Sequence, residues 1–131
     1  MDLVLFPTDK YYSYLKEYIK NKKFQNPIYV GYDFENAEIS ELNYESYDSE
    51  LQLKVALEYI QKFCQTNKEK EIRVYLYTPD ISYYYDNLDF TQYLCSNIVE
   101  FNYMVKECER LWTCDFDKKW LEDKRVHYVK M

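Results

Sequence analysis

The stretch EIRVYLYTPD, Glu71–Asp80, decides how the chain is read. Ile72, Val74 and Leu76 alternate with Arg73, Tyr75 and Tyr77, the period of a β-strand with one face packed. The run before it, Tyr47–Cys64, has helical spacing, and Thr78-Pro79-Asp80 after it is a helix-start signal. Helix, strand and helix start in this order predict an α/β (or α+β) domain with this strand at its centre.

Working towards the N-terminus, Ser49 followed by Gln52 fits a capping box, and Asp48 and Glu50 suit the positive end of a helix dipole. Leu53, Ala56, Ile60 and Phe63 then form a buried stripe. Ala37–Tyr44 reads as either a weak antiparallel strand or an acidic loop. Pro27–Phe34 (PIYVGYDF) predicts a strand, separated by Asn26-Pro27 from a helix that starts at Pro7-Thr8-Asp9, with Thr8 as N-cap. Lys16, Lys20, Lys22 and Lys23 load that helix's C-terminal end. Asp2–Phe6 (DLVLF) predicts a short buried strand. Strand, helix, strand suggests a parallel pair joined by a crossover helix.

Towards the C-terminus, Ile81–Leu88 reads as a short helix and Asp89–Asn97 as helix or irregular chain. Ile98–Val105 predicts a strand, with Val99, Phe101, Tyr103 and Val105 on one face. Lys106–Cys114 is ambiguous, Asp115 caps a helix to about Asp123, and Arg125–Lys130 (RVHYVK) closes as a strand. The expectation is one domain, residues 1–131, with a mixed sheet of about five strands and helices packed on it. A chain of 131 residues is one ordinary domain and needs no metal or disulfide staple.

Composition removes several function classes. The chain has one Gly, so it holds neither a phosphate-cradling glycine loop nor a dinucleotide fingerprint. Four cysteines, Cys64, Cys95, Cys108 and Cys114, lack the spacing of a zinc site, and the one histidine is His127. No run approaches the ~20 apolar residues that cross a bilayer, and no signal peptide is expected, since Met1–Phe6 is short and followed by polar residues. The expected setting is cytoplasmic, with reduced thiols. A Cys–His nucleophile would need His127 beside one of the four thiols; its place in an alternating strand favours a packed or surface histidine.

Charge is distributed unevenly. From Phe24 to Leu53 there is no Lys or Arg but seven acids: Asp33, Glu35, Glu38, Glu41, Glu45, Asp48 and Glu50. Val74–Val105 again has no base, with Asp80, Asp86, Asp89 and Glu100. Eleven of the seventeen tyrosines lie in these two runs, a content that A+T-rich codon usage also produces. Nucleic-acid binding wants aromatics interleaved with bases. Here they lie with acids, as in Tyr83-Tyr84-Tyr85-Asp86, so phosphate is repelled and a basic protein surface attracted.

The expected function is therefore non-catalytic: a small acidic protein that occludes a basic, nucleic-acid-binding protein, in the manner of a bacterial immunity protein or a phage anti-defence (anti-CRISPR-like) inhibitor. The expected contact residues are Glu35, Glu38, Glu41, Tyr44, Glu45, Tyr47, Asp48, Tyr83, Tyr84, Tyr85 and Asp86, with tyrosines as anchors. This reading assigns no catalytic residue, no metal and no cofactor. It involves no direct nucleic acid and no membrane.

The alternative is enzymatic. Asp33 near a strand end, Glu50 in a first helical turn and Asp80 past the central strand would hold Mg²⁺ for phosphoryl chemistry if they met at one sheet edge. The run from SELQLKVALEYI through EIRVYLYTPD, about a quarter of the chain, resembles the central helix and following strand of the ribonuclease H-like fold. The resemblance implies that Glu50 matches that family's metal-holding helix glutamate and Asp33 its first-strand aspartate. Pro79 stands where a strand-end acid is expected, with Asp80 one residue later. The gap from Asp33 to Glu50 is shorter than the family's three-strand meander. A third reading is a structural subunit of a larger assembly, which a mass measurement in solution would expose.

Overall fold

The chain builds its sheet from consecutive strands that never turn back on one another. The computed structural model describes residues 1–8, 21–32, 44–47, 53–77, 90–105 and 122–130. Within these lie β1 (Asp2–Thr8), β2 (Ile28–Tyr32), β3 (Tyr44–Tyr47), α1 (Leu53–Thr66), β4 (Ile72–Tyr77), a 3-10 turn (Phe90–Tyr93), β5 (Ile98–Val105) and β6 (Val126–Lys130). The strands form one sheet of six in the order β3-β2-β1-β4-β5-β6. All five pairings are parallel. The class is α/β, and the expected mixed sheet of about five strands is corrected to six parallel ones. The predicted helix at residues 81–88 lies outside the described residues, as do residues 9–20 of the helix predicted after β1 and residues 115–121 of the one predicted from Asp115 to about Asp123.

Parallel pairing also separates this sheet from the ribonuclease H-like meander, because β2 runs parallel to β1 and β3 parallel to β2. The cause lies in the connections. A parallel crossover needs about a dozen residues or more, and residues 9–27 supply that between β1 and β2. Tight hairpins favour Asn-Gly or Asp-Gly, and the single glycine, Gly31, sits inside β2.

A parallel sheet is covered on both faces, so its strands read as continuous apolar runs. Leu3, Val4, Leu5 and Phe6 are all buried without remainder. On one face Leu3, Leu5, Val30, Val74, Leu76 and Phe101 pack with Ala56, Leu57, Ile60 and Cys64 of α1. Of the expected stripe Leu53, Ala56, Ile60 and Phe63, Ala56 and Ile60 are in the core and Phe63 packs half-buried against it, with Leu57 and Cys64 also in the core; the Leu53 side chain lies outside the described residues. On the other face Tyr75 is only 2% exposed and Tyr77 is fully buried. The expectation of one packed face on Glu71–Asp80 is thus corrected. The Phe24 ring meets Tyr75 edge-on at 5.0 Å and Tyr29 at 6.3 Å, and the Lys22 ammonium lies 5.4 Å from the centre of the Tyr75 ring.

Three boundaries shift for physical reasons. Pro7 and Thr8 belong to β1 and do not open a helix; the β1–β2 register slips between Leu5 and Thr8, an irregularity where a residue without N–H is tolerated. In β5 the register with β4 slips between Ile72 and Arg73. Ile98 is therefore buried at 1% while Val99 is 44% exposed, the reverse of strict alternation. Asn26 takes φ 46°, a left-handed conformation that Asn tolerates better than most residues, and turns the chain into β2.

The start of β1 is fixed by charge. Asp2 is 2% exposed, and its carboxylate accepts from the Gln25 amide at 2.7 Å and from Arg73 Nε at 3.0 Å. Arg73 Nη2 also donates to Gln25 Oε1 at 3.0 Å. A buried carboxylate satisfied in this way ties three segments together. No helix among the described residues is long and apolar enough to cross a membrane.

Candidate functional site

In an open α/β sheet, ligands bind outside the carboxyl ends of the strands, at the point where strand order reverses. Here the order reverses between β1 and β4. Because all six strands are parallel, Thr8, Tyr32, Tyr47, Tyr77, Val105 and Lys130 close them at one edge. Tyr32 registers with both Thr8 and Tyr47. On the other half Met104 registers with Tyr77 and Val129.

The residues next to the strand ends differ in charge along the sequence. Asp9, Asp33 and Asp48 follow β1, β2 and β3, whereas Lys106 follows β5 and Lys130 ends β6. The glycine turn that lets a backbone approach a pyrophosphate after the first strand is absent from the sequence, which reads Phe6-Pro7-Thr8-Asp9 there.

The expected contact residues fall as follows. Tyr44, Glu45 and Tyr47 lie on β3, the edge strand, where Tyr44 registers with Tyr29, Glu45 with Val30 and Tyr47 with Tyr32. Glu35, Glu38, Glu41, Asp48, Tyr83, Tyr84, Tyr85 and Asp86 lie outside the described residues, as do Asp33, Glu50 and Asp80. Four tyrosines of the base-free runs, Tyr29, Tyr75, Tyr77 and Tyr93, are buried. Part of the tyrosine content therefore builds the core. The signal was present in the sequence: in EIRVYLY the tyrosines alternate with buried aliphatics, and a strand covered on both faces buries both sets.

The opposite, amino edge carries the described thiols. Just past α1, the backbone amide and the side chain of Asn67 both donate to the Phe63 carbonyl, at 3.0 and 2.9 Å. Asn97 Nδ2 donates to the Cys64 carbonyl at 3.0 Å and to the Asn67 carbonyl at 3.1 Å. Helix-end carbonyls that have no partner within the helix are thereby satisfied. Arg125 gathers the next segment. Its Nη1 donates to the carbonyls of Cys95 at 2.9 Å and Ile98 at 3.0 Å, and its Nη2 to Leu94 at 3.4 Å. Asp123 accepts from Arg125 Nε at 3.0 Å and Nη2 at 2.8 Å. None of these polar partners was singled out from sequence, because Asn97 and Arg125 act through folded neighbours.

The Arg125 hydrogen bonds hold the Asp123 carboxyl at about 2, below its ordinary 3.8. A depressed carboxylate pKa adds stability that is present above the ordinary value and lost as pH falls through the folded value. Asp123→Asn should therefore be less stable than wild type above pH 3.8 and converge with it towards about pH 2. Urea melts across that window check this; parallel curves would show that the pair does not contribute.

Cys64 is buried and Cys95 half-buried, and both are free. Val126 joins the core that holds Cys64. His127, the next residue of β6, is exposed and by strand alternation lies on the other face. The imidazole and these thiols therefore do not form a Cys–His nucleophile. Among the described residues no group of His, Cys, Asp and Glu is placed to hold a metal ion. Comparison with protein-family models, with curated proteins and with solved structures finds no significant match.

Proposed function

We propose that the chain is an acidic, tyrosine-rich binding protein that occludes a basic, nucleic-acid-binding protein partner, as an immunity protein or a phage anti-defence inhibitor does. One observation carries the reading. β2, β3 and β4 close at the same edge of a parallel sheet, and the sequence leaving that edge carries Asp33, Glu35, Glu38 and Glu41 after β2, Asp48 and Glu50 after β3, and Asp80, Tyr83, Tyr84, Tyr85, Asp86 and Asp89 after β4. Carboxylates there would steer a cationic surface, and tyrosines would anchor it. Residues of the partner that otherwise hold phosphates would be covered. The reading takes the chain as one cytoplasmic domain with helices packed on the sheet.

The test starts from a partner captured from the native host, identified and purified. Adding the chain to that partner's complex with labelled nucleic acid should release the nucleic acid. The triple variant Glu35→Lys, Glu38→Lys, Glu41→Lys should bind at least ~10-fold more weakly, mostly through a slower on-rate that salt reproduces in the wild type. A partner without a basic surface, or one that keeps its nucleic acid, would sink the reading.

The same edge favours one second reading. Asp33 follows Tyr32 of β2, and Asp80 lies three residues past Tyr77 of β4, so a Mg²⁺ site that includes Glu50 would serve phosphoryl transfer. Thermal melts with Mg²⁺ or Mn²⁺ separate the two readings. Stabilisation by metal that is lost in Asp33→Asn favours the enzyme; no shift in Tm favours the binding protein.

A further inference from the structure

We infer that Cys64 and Cys95 form a thiol–disulfide site, which a low-molecular-weight disulfide such as glutathione disulfide closes into a cross-link between the end of α1 and the turn before β5. The inference rests on the amino edge and is independent of the proposed function.

The end of α1 and the turn before β5, each carrying a thiol, pack together at this edge. Cys95 packs against the core that contains Cys64, Asn97, two residues past Cys95, reaches the Cys64 carbonyl at 3.0 Å, and Cys95 is near enough to help raise the Cys64 thiol. Their main chains are fixed separately. Asn97 holds the Cys64 carbonyl, while Arg125 Nη1 and the Ile98 amide, the latter at 3.0 Å, hold that of Cys95. Two thiols on adjoining segments can close to the ~2.05 Å of a sulfur–sulfur bond without unfolding either segment.

The two thiols have different access, which sets the order of events. Cys95 is half-buried and reachable, whereas Cys64 is 1% exposed. Burial, followed by the neighbouring Cys95, pushes the Cys64 thiol up to about 12, so it is a poor first nucleophile towards anything in solution. The Cys95 thiolate attacks one sulfur of glutathione disulfide, forming a mixed disulfide and expelling one glutathione thiolate. Cys64 loses its proton to solvent base and attacks the Cys95 sulfur, forming the internal disulfide and expelling the second glutathione thiolate. Two protein thiols are oxidised and one glutathione disulfide is reduced to two glutathiones. The second step is intramolecular, and proximity offsets the low thiolate fraction.

The experiment uses the folded full chain, both as wild type and with Cys108→Ser and Cys114→Ser. Each is incubated with glutathione disulfide at mildly alkaline pH, quenched with acid, alkylated and digested with trypsin. Mass spectrometry should find peptide 63–68 joined to peptide 74–106 in both proteins, with glutathione on Cys95 as the earlier species. Cys64→Ser should stop at the Cys95 adduct, and Cys95→Ser should leave Cys64 unmodified for as long as the chain stays folded. The proposal is overturned if glutathione remains on Cys95 while Cys64 stays free, or if neither thiol reacts. It is also overturned if the 63–68 to 74–106 link appears only in denaturant, or if the wild type pairs Cys64 or Cys95 with Cys108 or Cys114 instead. The wild-type peptide map decides the matter even if a variant fails to fold.

Discussion

Tyr75→Ala is expected to lower the unfolding free energy by about 3–5 kcal/mol, the range for removing a large side chain from a packed interior. Tyr75 is 2% exposed on the sheet face opposite α1. The substitution removes its edge-on contact with Phe24 at 5.0 Å and the ring beneath Lys22. A ring on an open, solvated face would cost less than about 1 kcal/mol when truncated, since surface substitutions usually stay within ~0.5 kcal/mol. The measurement therefore asks directly whether the sheet is packed on both sides. Urea unfolding of wild type, Tyr75→Ala and Tyr75→Phe answers it. Tyr75→Phe keeps the ring and should lose no more than about 1.5 kcal/mol, the net worth of one hydroxyl hydrogen bond. A small loss in Tyr75→Ala would mean that the second face is open and that the parallel sheet lacks its cover.

Where the sequence misleads on this face, the reason is chemical. A period of two separates Ile72, Val74 and Leu76 from Tyr75 and Tyr77, and tyrosine is equally at home on a half-wet face or in a core. Periodicity finds the strand but cannot say whether its polar-tipped side is covered. Other elements were legible. DLVLF, a run without alternation, announced a short buried strand, and β5 was found at Ile98–Val105 with both ends correct. The parallel arrangement was legible as well, in the lone glycine and the long connections, although the reading from periodicity settled on a mixed sheet. The slip that buries Ile98 and exposes Val99 was not, because a register shift belongs to the pairing of two strands and to neither strand alone.

The candidate edge was legible only as composition. The base-free runs are visible in the sequence, and what the fold adds is that β2, β3 and β4, which feed them, open at one end of one sheet. Register then sets Tyr47 beside Tyr32 and Tyr32 beside Thr8, residues 15 and 24 positions apart. The amino edge was silent in the sequence for a related reason. Cys64 and Cys95 are 31 apart in number (95 − 64), with no motif between them, and only the packing of α1 against the turn before β5 makes them neighbours.

That same turn supplies the second large effect. Arg125→Ala is expected to cost about 2–4 kcal/mol, because hydrogen bonds to a charged group are worth ~1.5–3 kcal/mol and carbonyls left unsatisfied add to the loss. The guanidinium satisfies three carbonyls, those of Leu94, Cys95 and Ile98, and pairs with Asp123 through two nitrogens. It fastens the chain before β5 to the chain before β6, and the neighbouring Arg125 carbonyl accepts from the Phe101 amide at 2.7 Å within the sheet. The effect should depend on the shape of the donor and not on charge alone. Lysine presents a point charge on a flexible stem and cannot reproduce the fork, so Arg125→Lys should recover less than half of the loss. Asp123→Asn removes only the carboxylate end and should fall well short of Arg125→Ala. If Arg125→Lys were as stable as wild type, the charge near Asp123 would account for the stabilisation and the three carbonyls would be hydrated. If Arg125→Ala were also silent, the turn before β5 would be held by Asn97 and the core alone, and the main-chain anchoring of Cys95 would have to come from the Ile98 amide.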